Sequence, residues 1–172
     1  MAVTVPPLAR VGLIVAAAVM VADQASKWWM LAVVMDPPRL IVLTPFFDLT
    51  MGWNRGISFG LFSEHAEWNR WVLPALAIVI VGVLLTWLWR EQERLTALAL
   101  GAIVGGAMGN LIDRFIHDGA VFDFIQVHAG PYYWPAFNIA DSAISIGAAM
   151  LVWHALFGGR GRTTYGKTGT SR

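Results

Sequence analysis

Cysteine is absent from all 172 residues. That excludes disulfides, thiol catalysis and cysteine-ligated metals, and it fits either side of a membrane. Charge is also scarce. Only 13% of residues are Asp, Glu, Lys or Arg, against roughly 25% in an ordinary soluble domain. Between Trp71 and Trp89 no charged residue occurs. Several catalytic signatures are missing as well. There is no His-Glu-x-x-His, no Gly-x-Ser-x-Gly elbow and no glycine-rich phosphate loop. The four histidines, His65, His117, His128 and His154, are scattered. Ser142 and Ser145 lie near Asp141, but His154 lies more than about three helical turns further on, too far to act as their base. No metal and no cofactor is expected.

What remains is apolar. Hydrophobic residues make up 57% of the chain, and mean hydropathy is +0.60. A membrane-crossing helix needs about 20 mostly apolar residues. Four such spans take up roughly half the chain. They run from about Leu8 to Leu31, Trp71 to Trp89, Leu95 to Arg114 and Ala136 to Phe157. The reading is an all-α membrane protein of four transmembrane helices in one unit, residues 1–157, with a basic tail at 158–172. The first span has a weakly basic start at Arg10 but no small-x-small cleavage site, so an uncleaved helix is expected. Pro74 falls in the first turn of the second span as delimited here, where proline costs little.

Net charge is +1, from 12 basic and 11 acidic residues, and gives no reading as a nucleic-acid binder. Placement of the basic residues says more. Arg90 and Arg94 lie in the short loop between spans two and three. Arg10, Arg160, Arg162, Lys167 and Arg172 fall on the same side. The excess of Lys and Arg on that side puts both termini in the cytoplasm. The other side then carries two long segments, 34–69 and 115–135. The first includes LIVLTPFFDLTMGW, rich in β-branched and aromatic residues, which predicts a short strand or hairpin. Phe46, Phe47, Phe59, Leu61 and Phe62 give it an apolar side, suited equally to facing lipid or covering the bundle. Gly101, Gly105 and Gly109 recur every four residues, with Gly106 beside them. Such a face lets a second helix approach closely.

The polar residues inside these spans are the candidates for chemistry. Asp141 stands in an otherwise apolar segment, where a carboxylate is costly and points to function. Asp123 belongs to GAVFDFIQV, just before that span and on the same side, which reads as a strand or re-entrant stretch reaching the bundle. Two carboxylates sharing a site repel, so one keeps its proton. The ionised one can take a proton from water and the protonated one can donate to a carbonyl oxygen. On the residues alone, three readings of Asp141 stay open: such catalysis, ion or substrate transport, and a structural ion pair with Arg114 or Lys27. Asp23 and Lys27, four apart on one helix, can pair with each other. Asn110 and Arg114 share a face of the third span. Asn138 can orient a carboxylate, bind a peptide carbonyl or cap the fourth helix.

Five segments in order sharpen this reading: DQASK at 23–27, NRGISFG at 54–60, GGAMGNLIDR at 105–114, VFDF at 121–124 and FNIAD at 137–141. Together they resemble the bacterial lipoprotein signal peptidases, the type II signal peptidases, over nearly the whole chain. The resemblance implies a four-helix inner-membrane aspartic endopeptidase. Its substrates would be diacylglyceryl-modified prolipoproteins, cut on the N-terminal side of the lipidated cysteine. It assigns the catalytic pair to Asp123 and Asp141. It lines the site with Asn54, Asn110, Arg114 and Asn138, supported by Asp23 and Lys27, and gives Asp113 an architectural part. It also implies membrane lipids as surroundings and the cyclic peptide globomycin as an inhibitor. A monomer is expected. Phe122 stands where the family often has valine.

Overall fold

The computed structural model describes residues 4–56 and 66–158, except for the side chains of 66–69. Four long helices form the bundle: α1 (Pro7–Trp29), α2 (Ala66–Arg90), α3 (Arg94–Ile116) and α4 (Ile139–Phe157). All four contain stretches long and apolar enough to cross a membrane. α3 is the central helix. Its apolar window is 56% buried, against 17–22% for the windows of the other three. Its small residues explain this position. A side chain added at Gly101 would run into the backbone of Gly12. At Gly105 it would come within 2.5 Å of the Ala16 carbonyl oxygen, and at Gly109 within 2.5 Å of the Asp23 carboxylate. The four-residue glycine repeat is thus the seam against α1. Gly106 faces α4 instead, against Ala140 and Ile144.

The helix limits differ from the expected ones in physically informative ways. α1 opens on Pro7, a position where proline's missing N–H is not needed. It continues beyond Trp29 into a π-helical turn, Met30–Val34, which buries Met30 while Trp28 and Trp29 stay exposed. α2 starts at Ala66, so Pro74 is inside the helix rather than in its first turn. Residues 66–70 extend the helix ahead of the apolar stretch. α4 starts at Ile139, not Ala136, because Phe137 bridges to Ile125 and Asn138 is the N-cap. The turn Glu91–Glu93 joins α2 to α3. There Glu91 accepts the main-chain N–H groups of Gln92 and Glu93, both at 2.8 Å.

The expected hairpin is present: β1 (Ile41–Thr44) pairs antiparallel with β2 (Phe47–Asn54). It does not stand alone. β2 also pairs antiparallel with β3 (Val121–Ala129), and β3 with the short β4 (Tyr132–Tyr133), giving the order β1-β2-β3-β4. The sheet therefore joins the two long connections, α1 to α2 and α3 to α4, at one end of the bundle. Met30, Met35, Phe122 and Phe124 form the buried core between sheet and helices. Phe122 is fully buried and packs between Trp53 and Phe124, so the larger ring fills space under the sheet. Phe46 is exposed and Phe47 half-buried. Phe59, Leu61 and Phe62, and the tail residues Arg160, Arg162, Lys167 and Arg172, lie outside the described residues.

Candidate functional site

The polar residues of the spans meet at the sheet end of the bundle. α1 supplies Asp23, Gln24 and Lys27, on adjacent turns of one face. The Lys27 ammonium lies 2.8 Å from Asp23 Oδ2, 3.0 Å from Asp113 Oδ2 and 3.1 Å from Asn110 Oδ1. All three of its N–H donors therefore have acceptors. Asp23 and Asp113 are almost completely buried, and Lys27 nearly so. A buried pair is stable only if the remaining polar atoms are also satisfied, and here they are. Asp23 Oδ1 accepts the Ala140 N–H at 3.0 Å. Asp113 accepts the Phe122 N–H at 2.9 Å and the Gln24 side chain at 2.8 Å. Asp113 thus ties the end of α3 to α1 and to β3. The Asp23–Lys27 pair is formed as expected.

α3 adds Asn110 and Arg114. Asn110 donates through Nδ2 to Asp141 Oδ1 at 2.7 Å. Arg114 donates to the Gly119 carbonyl at 2.9 Å, and its charge acts on Asp113, Asp123 and Asp141. Neither Arg114 nor Lys27 forms an ion pair with Asp141 among the described residues; Lys27 is taken by Asp23 and Asp113. A structural pair therefore does not account for Asp141.

Asn138 caps α4 in a capping box. Its Oδ1 accepts the Asp141 N–H at 2.9 Å, and its own N–H donates to Asp141 Oδ2 at 3.2 Å. Two of the roles open to this residue, cap and carboxylate orienter, are realised together. Its Nδ2 lies 2.7 Å from Asp123 Oδ1. One asparagine thus touches both carboxylates. Asp123 sits in β3 opposite Gly52, whose missing side chain leaves room: a Cβ there would lie 3.1 Å from the Asp123 carbonyl oxygen. Asn54, at the end of β2, lies close enough to Asp123 to favour its charged form.

Burial pushes the Asp123 carboxyl up to about 7, and the negative charge of Asp141 adds to the effect. Asn54, the hydrogen bond from Asn138 and the charge of Lys27 oppose it. Asp123 thus holds its proton well above the usual carboxylate range. A carboxyl still protonated near neutral pH is able to act as a general acid. Among the described residues no group of three or more His, Cys, Asp and Glu could hold a metal ion.

The family profile described as signal peptidase (SPase) II matches residues 15–157. The chain belongs to the signal peptidase II family. Those matched residues contain every site residue described above. A lipoprotein signal peptidase of Azoarcus sp. (strain BH72) is 47% identical over 149 residues, 86% of this chain and 84% of that protein. One from Methylocella silvestris is 41% identical, covering 91% of this chain and 92% of its own. The fold matches a solved bacterial membrane enzyme with a TM-score of 0.72 at 25% identity, covering 94% of this chain and 95% of the other. A second, at 27% identity, matches with the same TM-score over 86% and 94%.

Gln24 was not among the expected site residues of this signal peptidase II chain. It bonds Asp113 Oδ1, the Gly109 carbonyl at 3.0 Å and Asp23 Oδ2 at 3.3 Å. The available signal was its place in DQASK, an amide inside an apolar span. The main-chain donors of Phe122 and Ala140 carry no side-chain signature, so only the fold reveals them.

Proposed function

We propose that Asp123 and Asp141 are the catalytic pair with which this signal peptidase II, an aspartic endopeptidase, removes signal peptides from diacylglyceryl-modified prolipoproteins. The observation that carries this reading is Asn138, hydrogen-bonded to both carboxylates at once. Asp141 takes a proton from a water, and the hydroxide attacks the carbonyl carbon before the lipidated cysteine. Asp123 gives its proton to the carbonyl oxygen. When the tetrahedral diol collapses, Asp141 passes the water's proton to the cysteine nitrogen, the C–N bond breaks, and a diol hydroxyl returns its proton to Asp123. The diacylglyceryl anchor keeps the substrate beside the enzyme, turning a dilute encounter into a local one. Asn54, Asn110, Arg114 and Asn138 position the pair, and Asp23, Lys27, Gln24 and Asp113 hold those residues.

The chain is a multi-pass protein of the bacterial inner membrane. In our reading both termini are cytoplasmic, the sheet end faces outward, residues 1–157 form the peptidase unit and 158–172 a basic cytoplasmic tail. The enzyme acts as a monomer, and globomycin competes for the same site.

Two measurements test this reading. Purified protein incubated with a lipidated prolipoprotein should yield a product shortened to the modified cysteine, detected by mass. Activity should fall as pH rises through about 7, because Asp123 then loses the proton it must donate. No shortened product, or activity still rising well above that pH, contradicts it. For orientation, Gln92→Cys and Ala66→Cys are introduced singly into this cysteine-free chain. An impermeant thiol reagent applied to intact cells should label position 66 and spare position 92. The reverse pattern overturns the topology.

A further inference from the structure

The two asparagines of the site have ends that differ chemically, and each is oriented by a different part of the protein. Asn138 is oriented by its helix. The Asp141 N–H requires an acceptor, so Oδ1 faces it and Nδ2 is turned to Asp123. Asn110 has no such cap. One end of its amide meets the Lys27 ammonium at 3.1 Å and Asn138 Nδ2 at 3.1 Å. Both are donors, and an ammonium has no acceptor capacity at all. That end must therefore be oxygen, and the N–H end faces Asp141 Oδ1 at 2.7 Å. Reversing the amide would set two N–H groups against each other at Lys27 and two acceptors against each other at Asp141.

We infer that Lys27 is a positioning residue: together with Asn138 Nδ2 it locks the Asn110 amide so that an N–H, and not an oxygen, is presented to Asp141. This rests on the assignment of Asp123 and Asp141 as the reacting pair. Lys27 is itself fixed by Asp23 and Asp113, so the ion cluster does more than join helices. It delivers a donor, one residue removed, to the group that must be ionised to accept the proton of water. Asn138 N gives Asp141 its second donor. Among the described residues, Asp123 from β3 and Arg114 from α3 act on Asp141 by charge, with the cluster of Asp113 from α3 and Asp23 and Lys27 from α1 behind Asn110.

Replacing Lys27 alone would strand two buried carboxylates, so the test is charge-balanced. In Lys27→Met with Asp113→Asn, one negative charge remains in the cluster, on Asp23. The intact cluster, with two carboxylates and one ammonium, carries the same net charge. With net charge held constant, a shift reports the Asn110 amide losing one of the two donors that fix its oxygen, Asn138 Nδ2 being the other. A carboxylate that loses an N–H donor holds its proton to higher pH. The acidic limb of the pH–rate profile should move up by about one unit, with kcat reduced and KM for lipidated precursor nearly unchanged. Asp113→Asn alone keeps Lys27 and should show no upward movement. Asn110→Leu removes the donor outright and should reproduce the upward shift, which keeps the inference testable if the double variant does not fold. An unmoved limb in Asn110→Leu, or in a folded double variant, overturns the inference. So does an equal upward shift in Asp113→Asn. Failure of the catalytic assignment reads differently: Asp123→Asn or Asp141→Asn would then still cleave, whatever the Lys27 variants do.

Discussion

Asp123→Asn and Asp141→Asn should each reduce single-turnover cleavage by roughly 10³-fold or more, as loss of either member of a catalytic unit does. The substitutions keep volume and most hydrogen bonds. An amide oxygen at position 123 can still accept from Asn138, and one at position 141 can still accept from either Asn110 or the Asn138 N–H, which reach different oxygens of Asp141. What disappears is acid–base chemistry: position 123 has no proton to give to the carbonyl oxygen, and position 141 has no charge to draw one from water. Both variants should accumulate, melt in detergent near the parent temperature and bind lipidated precursor as the parent does. Asp113→Asn separates scaffold from chemistry. Its carboxylate touches Lys27, Gln24 and the Phe122 N–H, and among the described residues no hydrogen bond joins it to Asp123 or Asp141. The variant should lose about 1–3 kcal/mol of stability, the cost of weakening buried polar contacts, while retaining measurable cleavage. Near-parent cleavage by either member of the pair sinks the catalytic assignment. A stable but inactive Asp113→Asn would bring that residue into the reaction.

Much of this arrangement was legible in the residues. Apolar run lengths located the four spans, and the glycine repeat of α3 marked the tight seam that the structure shows against α1. Asp141 drew attention because a carboxylate in an apolar helix is costly. The Asp23–Lys27 pair followed from helical spacing. What spacing could not supply was partnership across the chain. The strand-forming residues of 41–54 predict a hairpin and GAVFDFIQV a strand or re-entrant stretch, but neither pattern names its partner across the chain. The pairing of β2 with β3 joins segments far apart in the chain, and it is this pairing that sets Asp123 beside Gly52 and near Asn54. The onset of α4 differs from the one its apolar residues predict for a similar reason. Ala136 and Phe137 are apolar enough to continue a helix, yet Phe137 bonds Ile125 in β3 and Asn138 makes a better cap. The direction of each asparagine amide depends on which partners arrive from other elements, and so appears only in three dimensions.

Gly105→Leu should cost the bundle about 1–3 kcal/mol through overpacking and lower cleavage with it. The reason is that the clash is with backbone. A Cβ at position 105 falls 2.5 Å from the Ala16 carbonyl oxygen and 2.9 Å from both Ala16 Cα and Val19 Cβ. Helix backbone cannot rotate aside as a long side chain can, so α1 must move as a body. It is hemmed in on both sides of that point, by Gly101 against Gly12 and by Gly109 against the Asp23 side chain. Moving α1 away from α3 lengthens the contacts from Asp23, Gln24 and Lys27 to Asn110 and Asp113, which is how a packing change one turn or more from the carboxylates reaches them. Gly82→Leu is the matched control. It adds the same side chain to α2, where a Cβ meets nothing within 4 Å, and should alter neither melting nor cleavage. Thermal melting in detergent and single-turnover cleavage, measured on both variants, decide the matter. A Gly105→Leu protein that melts with the parent removes the close seam as the element holding α1 and its ion cluster in register with α3.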